Sequence, residues 1–277
     1  MDLLPAAFVV DLLRTSRATP FLTSLAFALP GHSQISRWCQ QIYFPSESIS
    51  LGLLSLVHGL LFFLILEKQH EPSFPIADKS TIDSYVALCE HNFHHGVETY
   101  EVTASATLDN AKALLLAALK AQEDSKPVYG WNMVSCAARH ALSLGLHRKA
   151  SLRNDTYEEA EDKKRLFWMI YCFDKNLALN LGRTPNIQDY DMDIDFFAPS
   201  PDPGIQPWDQ ANLMFIELSR TQGLLYEKLY SLTACQNASE RDHSILGLTR
   251  DFESWHAKWK SVRPSSPPSC TSADITD

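Results

Sequence analysis

Apolar residues along this chain recur every three to four positions, and the runs between them are short and polar. That period is the signature of amphipathic helices. Two short helical pieces are predicted over residues 3–13 and 33–43, with a turn at Pro30-Gly31 between them. Pro45-Ser46-Glu47 then opens a strongly apolar helix over 48–67, closed by the break from His70 to Pro75. The next helix, about 81–101, carries Ile82, Val86, Leu88, Phe93 and Val97 on its apolar side. An Ala- and Leu-rich helix follows over 108–122. Ser125-Lys126 reads as a cap for the helix 127–146, with Pro127 just inside its start.

The small residues Ala137, Ala138 and Ala141 in that helix predict a close neighbour, and Gly145 supplies a left-handed end. Asp155 or Thr156, followed by Glu158 and Glu159, is a capping signal for a long helix that Gly182 terminates. An acidic connection rich in proline runs from Asp189 to Gly204, and further helices are predicted over 208–232 and 241–261. No stretch alternates apolar and polar residues with β-branched enrichment, so no sheet is assigned. The expected fold class is all-α, a multi-helix, bundle-like domain. The expected segments are an N-terminal helical extension (1–39), a main domain (40–262) and a polar tail (263–277).

Composition sharpens this picture in three places. The 277 residues are 45% hydrophobic and 21% charged, the balance of a packed domain able to bury a sizeable core. The formal charge of −9 opposes direct binding to a phosphate backbone. Lys163-Lys164-Arg165 is the densest basic cluster and reads as a solvated helix face. Six cysteines are spread with no two closer than 35 residues, so none forms the short-spaced pair of a zinc site, and buried thiols are expected. The segment Ile49 to Leu66 approaches the length of a membrane span, but His58 sits in its middle and a core helix explains the same pattern.

His91 and His95 share a helix face, with Cys89, Glu90 and Glu98 near them, but Asn92 stands where a zinc protease places its glutamate. A polar surface turn is the better account. Asp189, Asp191, Asp193 and Asp195 alternate, yet a calcium loop needs Gly and Glu where Ile194 and Ser200 stand. Alternation would also scatter these carboxylates around a helix, unlike the magnesium-binding aspartates of a terpene cyclase. No glycine-rich phosphate loop or nucleophile elbow is found. No catalytic residue, metal ligand or cofactor site is assigned.

Three segments, in order, carry a resemblance. The first is Ala137-Ala138-Arg139-His140-Ala141-Leu142-Ser143-Leu144-Gly145-Leu146-His147-Arg148. The second runs from Glu161 to Lys175 and contains Arg165-Leu166-Phe167-Trp168 and Asp174-Lys175. The third is Leu181-Gly182-Arg183-Thr184-Pro185-Asn186-Ile187 with the acidic stretch 189–194 after it. Together they resemble the fungal-specific transcription factor domain, the middle homology region of fungal zinc-cluster regulators. The likeness covers about residues 40 to 235. Thr184 departs from the family's Gly-Arg-Pro.

The resemblance implies a nuclear transcription regulator that controls a metabolic or secondary-metabolite gene cluster. This sequence carries no zinc cluster, so the implied action passes through a related zinc-cluster protein or the transcription machinery. Specific DNA binding by this chain and membrane association are not expected, and the resemblance leaves room for a small-molecule effector. The rival from another class is an all-α enzyme or ligand-binding protein with a pocket between helices. The motif residues Gly145, Leu146, His147, Arg148, Phe167, Trp168, Asp174, Gly182, Arg183 and Pro185 are expected to determine the fold. Trp168 should be a buried anchor whose indole N–H finds an acceptor. Arg183, His147 and Arg148 are expected to bond the last carbonyls of their helices.

Overall fold

The computed structural model describes residues 1–15, 32–69, 74, 78–100, 105–203 and 205–262. Every long regular element among them is a helix. The turn expected at Pro30-Gly31 and the tail after 262 lie outside the described residues. Within the expected 40–262 span the chain divides, and the two compact units are Met1–Phe197 and Ala198–Asp277.

The first unit holds α1 (Ala6–Thr15), α2 (His32–Tyr43), α3 (Leu51–Lys68), α4 (Lys79–Tyr100), α5 (Leu108–Glu123), α6 (Pro127–Ser143) and α7 (Tyr157–Leu181). Ser50 caps α3 by accepting the Leu53 N–H at 3.1 Å. α3 is long and apolar enough to cross a membrane, but 78% of it is buried inside the fold, between α4 and α5. It is a core helix that is apolar all round. Three of its polar side chains are buried and each has a partner; Lys68 pairs with Glu67 at 3.2 Å. Ser55 bonds the Leu51 carbonyl, and the His58 Nδ1–H donates to the Leu54 carbonyl at 2.8 Å. The His58 Nε2 lone pair then takes the side-chain N–H of Asn92 at 3.1 Å, and Asn92 also donates to the Asp2 carbonyl. This network keeps the imidazole neutral, and burial pushes its pKa down.

Close packing sets the spacing of these helices. A Cβ on Gly59 would sit 2.6 Å from a Leu116 methyl and 2.8 Å from the Phe93 ring, so glycine lets α3 approach α4 and α5. α5 lies mainly against α6, where the alanines of both helices are buried. Lys120 of α5, 5% exposed, bridges three helices. It pairs with Glu90 at 2.9 Å and Asp124 at 2.8 Å, with its ammonium 5.0 Å from the Phe62 ring.

The Ser125 cap is corrected. Ser125 has φ 56° and ends α5, with the next amide, Lys126, bonding back to the Ala121 carbonyl at 2.8 Å. α6 starts at Pro127 with no side-chain cap. Lys126 stands at the cap position, where its ammonium can only donate, and Pro127 has no N–H of its own to leave unpaired.

The second unit contains α8 (Gln206–Leu225), a π turn over Tyr226–Tyr230, the short α9 (Leu232–Gln236) and α10 (Ala238–Val262). The continuous helix expected over 208–232 therefore breaks. Ser231 leaves the helical region and caps a new turn, its hydroxyl oxygen accepting the Ala234 N–H at 3.2 Å. Trp255 of α10 donates its indole N–H to the Met214 carbonyl of α8 at 2.7 Å, and Trp259 packs on Phe215 with ring centres 5.4 Å apart.

Candidate functional site

The three motif segments meet in the first unit, around a strap of chain from Gly182 to Phe197. α7 carries the strap. Its start is a full capping box: the Thr156 amide donates to Glu159 at 2.9 Å, and the Glu159 amide donates to the Thr156 hydroxyl oxygen at 3.3 Å. One face of α7 then buries Phe167, Trp168, Tyr171, Asp174, Leu177 and Ala178, the spacing of a core-facing helix.

Trp168 is 1% exposed, and its N–H donates to the Asp195 carbonyl at 3.0 Å. Its ring packs edge-on against Phe167 and Tyr171 and lies 4.9 Å from Phe196 of the strap. The residue is therefore an anchor, joining α7 to the end of the strap. One turn on, the Tyr171 hydroxyl donates to the Asp189 carboxylate at 3.0 Å.

Asp174 is the buried centre, fully hidden from solvent. One carboxylate oxygen accepts the Asn186 amide at 3.0 Å and the Asn186 side-chain N–H at 2.7 Å. The other accepts the Ile187 amide at 2.8 Å. Burial pushes this carboxyl up from its ordinary range, while the three N–H donors and Lys175 favour the anion. Both oxygens act as acceptors, which is the geometry of an ionised group. Lys175, 4% exposed, donates to the Ile187 carbonyl at 2.8 Å and pairs with Asp189 at 2.8 Å. Asn186 reaches further, donating to the Ser135 hydroxyl oxygen of α6 at 3.1 Å.

Gly182 has φ 64° and closes α7. The Gly182 and Arg183 amides bond back to the Leu179 and Ala178 carbonyls. Those carbonyls are served by backbone, so the role expected of the Arg183 side chain is corrected. Its guanidinium stacks 4.2 Å from the centre of the Trp131 ring of α6. Pro185 is buried, and its carbonyl accepts the Gln188 side-chain N–H at 2.7 Å. Thr184 is exposed between Arg183 and Pro185.

Gly145, at φ 71°, ends α6 in the same way, with the amide of the buried Leu146 bonding the Ala141 carbonyl at 2.9 Å. The helix-end role expected of His147 and Arg148 is corrected too, because both are turned toward the strap. The His147 carbonyl accepts the amides of Asp193 and Ile194. Its Nε2 lone pair takes an Arg148 N–H at 2.8 Å, and burial holds its pKa down. Arg148 pairs with Asp191 at 2.7 Å, the Lys149 amide donates to Asp193 at 2.8 Å, and the Lys149 ammonium pairs with Asp195 at 2.6 Å.

The alternating aspartates thus have partners. Asp189 faces α7, and the three that follow face the segment after α6. Nothing local predicts this, because the partners lie many residues away; the alternation was the available signal. The basic cluster is corrected likewise. Lys163 pairs with Asp155, Lys164 pairs with Glu161, and Arg165 stacks on the Phe197 ring at 4.3 Å, all half-buried. Among the described residues no group of three or more His, Cys, Asp or Glu is placed to hold a metal ion. His91 and His95 are exposed, with parallel rings 6.2 Å apart. The arrangement fastens a strap; it does not align a nucleophile with a base.

Residues 57–257 match the family model of the fungal specific transcription factor domain. An ABC-transporter-regulating transcription factor from Aspergillus oryzae is 33% identical over 172 residues, covering 58% of this chain and 19% of that protein. Its namesake from Aspergillus fumigatus is 30% identical over 171 residues, with the same coverage of each chain. The fusaridione A cluster transcription factor of Fusarium heterosporum is 27% identical over 175 residues, covering 58% of this chain and 32% of that protein. The chain therefore spans about a fifth to a third of the length of these relatives. No solved structure matches.

Proposed function

The chain belongs to the fungal specific transcription factor domain family, and we propose that it is the regulatory region of a nuclear transcription regulator. The observation that carries this reading is the family match over 57–257, the span that includes the strap built on Trp168 and Asp174. On this reading the domain performs no catalysis and needs no cofactor. It acts through protein contacts with a related zinc-cluster regulator or with the transcription machinery. The net charge of −9 supports action through protein rather than through its own specific contact with DNA. The relatives' names point to transporter genes or a metabolite gene cluster as the kind of target. An apolar groove of about 590 Å³ between α1 and α2, lined by Val9, Leu13, Cys39 and Tyr43, is where a small-molecule effector would be sought.

The test is a reporter assay with the whole chain fused to an unrelated DNA-binding module. The reporter should change several-fold, and the fusion carrying Trp168→Ala should lose the effect. A fusion that is present in the nucleus and leaves the reporter unchanged refutes the reading. Purified chain titrated with promoter DNA at about 150 mM salt should form no sequence-specific complex. Nanomolar specific binding there would overturn the protein-contact mechanism.

A further inference from the structure

The segment between α6 and α7 carries a pattern that the strap does not account for. Arg148-Lys149-Ala150-Ser151-Leu152 sets cations three and two residues before a serine, and an apolar residue directly after it. Ser151 is the one Ser or Thr of the sequence with a basic residue at both places. Basic-directed protein kinases choose their serines by this charge pattern. Acidic subsites on the enzyme hold the two cations and set the hydroxyl against the γ-phosphate of ATP.

The fold presents this serine. Ser151 is exposed in the 3₁₀ turn Lys149–Leu152, with Ala150 and Arg153 exposed as well. Short 3₁₀ turns open readily, because their hydrogen-bond geometry is poor. Arg148 pairs with Asp191 at 2.7 Å and Lys149 with Asp195 at 2.6 Å, yet all four side chains are more than half exposed. Exposed pairs hold weakly, so both cations can leave for an enzyme's carboxylates.

We propose that Ser151 is a phosphorylation site for a basic-directed serine/threonine kinase, and that its phosphate releases the outer edge of the strap, residues 191–194. In the transfer, Ser151 Oγ bonds to the γ-phosphorus of Mg·ATP as the bond to the β-phosphate oxygen breaks. ADP leaves, and the hydroxyl proton passes to the kinase's catalytic carboxylate.

Two local effects give the phosphate its consequence. The Ser151 hydroxyl now shares its proton between the Gly145 and Arg148 carbonyls, at 2.7 and 2.8 Å. A phosphoserine oxygen has no proton to share, and its anionic neighbours repel those carbonyls. The tie between the turn and the end of α6 is then lost. The second effect is charge. The Ser151 amide closes the turn on the Arg148 carbonyl at 3.1 Å, which brings a phosphate within reach of the Arg148 guanidinium. About two negative charges there compete with Asp191 for Arg148, in a geometry that suits a guanidinium. The same charges repel Asp191, Asp193 and Asp195, which residues 148 and 149 hold. The adjacent His147 carbonyl, which accepts the Asp193 and Ile194 amides, moves with the turn. The inner fastenings, Asp174 on Asn186 and Ile187 and Trp168 on the Asp195 carbonyl, stay in place.

This inference does not rest on the transcriptional reading and is tested without it. The whole chain is incubated with Mg·ATP and the catalytic subunit of cyclic-AMP-dependent protein kinase, a basic-directed probe. Ser151 should take up one phosphoryl group, located by peptide mass mapping, at a rate within about tenfold of the free peptide 146–154. A rate about a thousandfold below the peptide's is what reaction through the unfolded chain alone would give, and it overturns the site. Arg148→Ala should slow the reaction at least tenfold, even though it frees the strap. A rate equal to wild type or faster would show that exposure and not the cation governs the reaction, and would overturn the recognition. Asp191→Asn, which frees Arg148, should speed it. In the phosphorylated chain the Asp193 and Ile194 amides should exchange hydrogen at least tenfold faster, with the Asn186 and Ile187 amides unchanged. Ser151→Ala loses the hydroxyl but adds no charge, so it should take no phosphate at this site and change strap exchange by less than about threefold. Unchanged exchange after full phosphorylation, or equal acceleration in Ser151→Ala, overturns the release of the strap.

Discussion

Replacing Asp174 should unfasten the strap more than any other single change in the motif segments. The carboxylate takes three N–H groups: the Asn186 amide, the Asn186 side-chain N–H and the Ile187 amide. Asp174→Ala leaves all three facing a methyl group at a position closed to solvent. A buried donor left unmatched costs about 1–3 kcal/mol. It also leaves the nearly buried Lys175 with one carboxylate, Asp189, in place of two nearby. Relaxation will let the side-chain donor of Asn186 turn away, so a total of about 3–5 kcal/mol is expected. That is a large share of the 5–15 kcal/mol typical of a domain.

Asp174→Asn should cost less, about 1–3 kcal/mol. Its carbonyl oxygen still serves Asn186, its NH₂ meets the Ile187 N–H donor to donor, and the buried charge is gone. The assay is urea unfolding followed by tryptophan fluorescence, with hydrogen exchange read over residues 186–195. The strap amides should lose protection first in Asp174→Ala. A loss below about 1 kcal/mol with strap protection unchanged would refute the reasoning. An alanine variant no less stable than the asparagine variant would refute it equally.

Four further outcomes are expected. Trp168→Ala should destabilise by about 3–5 kcal/mol, and Trp168→Phe by about 1–2, since it keeps an aromatic ring but strands the Asp195 carbonyl; urea midpoints decide. Gly59→Ala should destabilise by about 1–3 kcal/mol, because overpacking against Leu116 and Phe93 exceeds the roughly 1 kcal/mol gained in helix propensity; a thermal melt above wild type would refute this. Ser125→Gly should raise stability by about 1 kcal/mol by relieving the left-handed conformation at φ 56°, again read by urea unfolding.

The last concerns pH. His58, His94, His140 and His147 all have pKa values lowered by burial, so below about 6.5 the unfolded chain binds more protons than the folded one. Stability is therefore present above that pH and is lost as pH falls toward the depressed values, by up to about 1.4 kcal/mol per pH unit for each histidine. Urea midpoints between pH 7.5 and 5 should show this slope, and His58→Gln should make it shallower.

What the sequence determined by itself is local. The Thr156–Glu159 capping box, the glycines that close α6 and α7, and the buried face of α7 all lie within one or two turns of chain, where short-range geometry dictates the outcome. The period of apolar residues likewise determined the helical class and placed α3 in a core. Local signals failed where they pointed two ways. Ser125 can begin a helix or end one, and here the amides of Ser125 and Lys126 bond back to the Gln122 and Ala121 carbonyls at the end of α5.

Tertiary structure alone decided which distant groups meet. Arg183 was free to serve the end of α7 until the backbone of Gly182 and Arg183 filled that role, and the Trp131 ring of α6 took its guanidinium. Asp191 and Asp193 find Arg148 and Lys149 from more than forty residues away, and His58 depends on Asn92 of another helix. No period or propensity encodes such pairs. A charge buried or brought near a surface must find its complement after the helices have packed, and packing is the first point at which those positions exist.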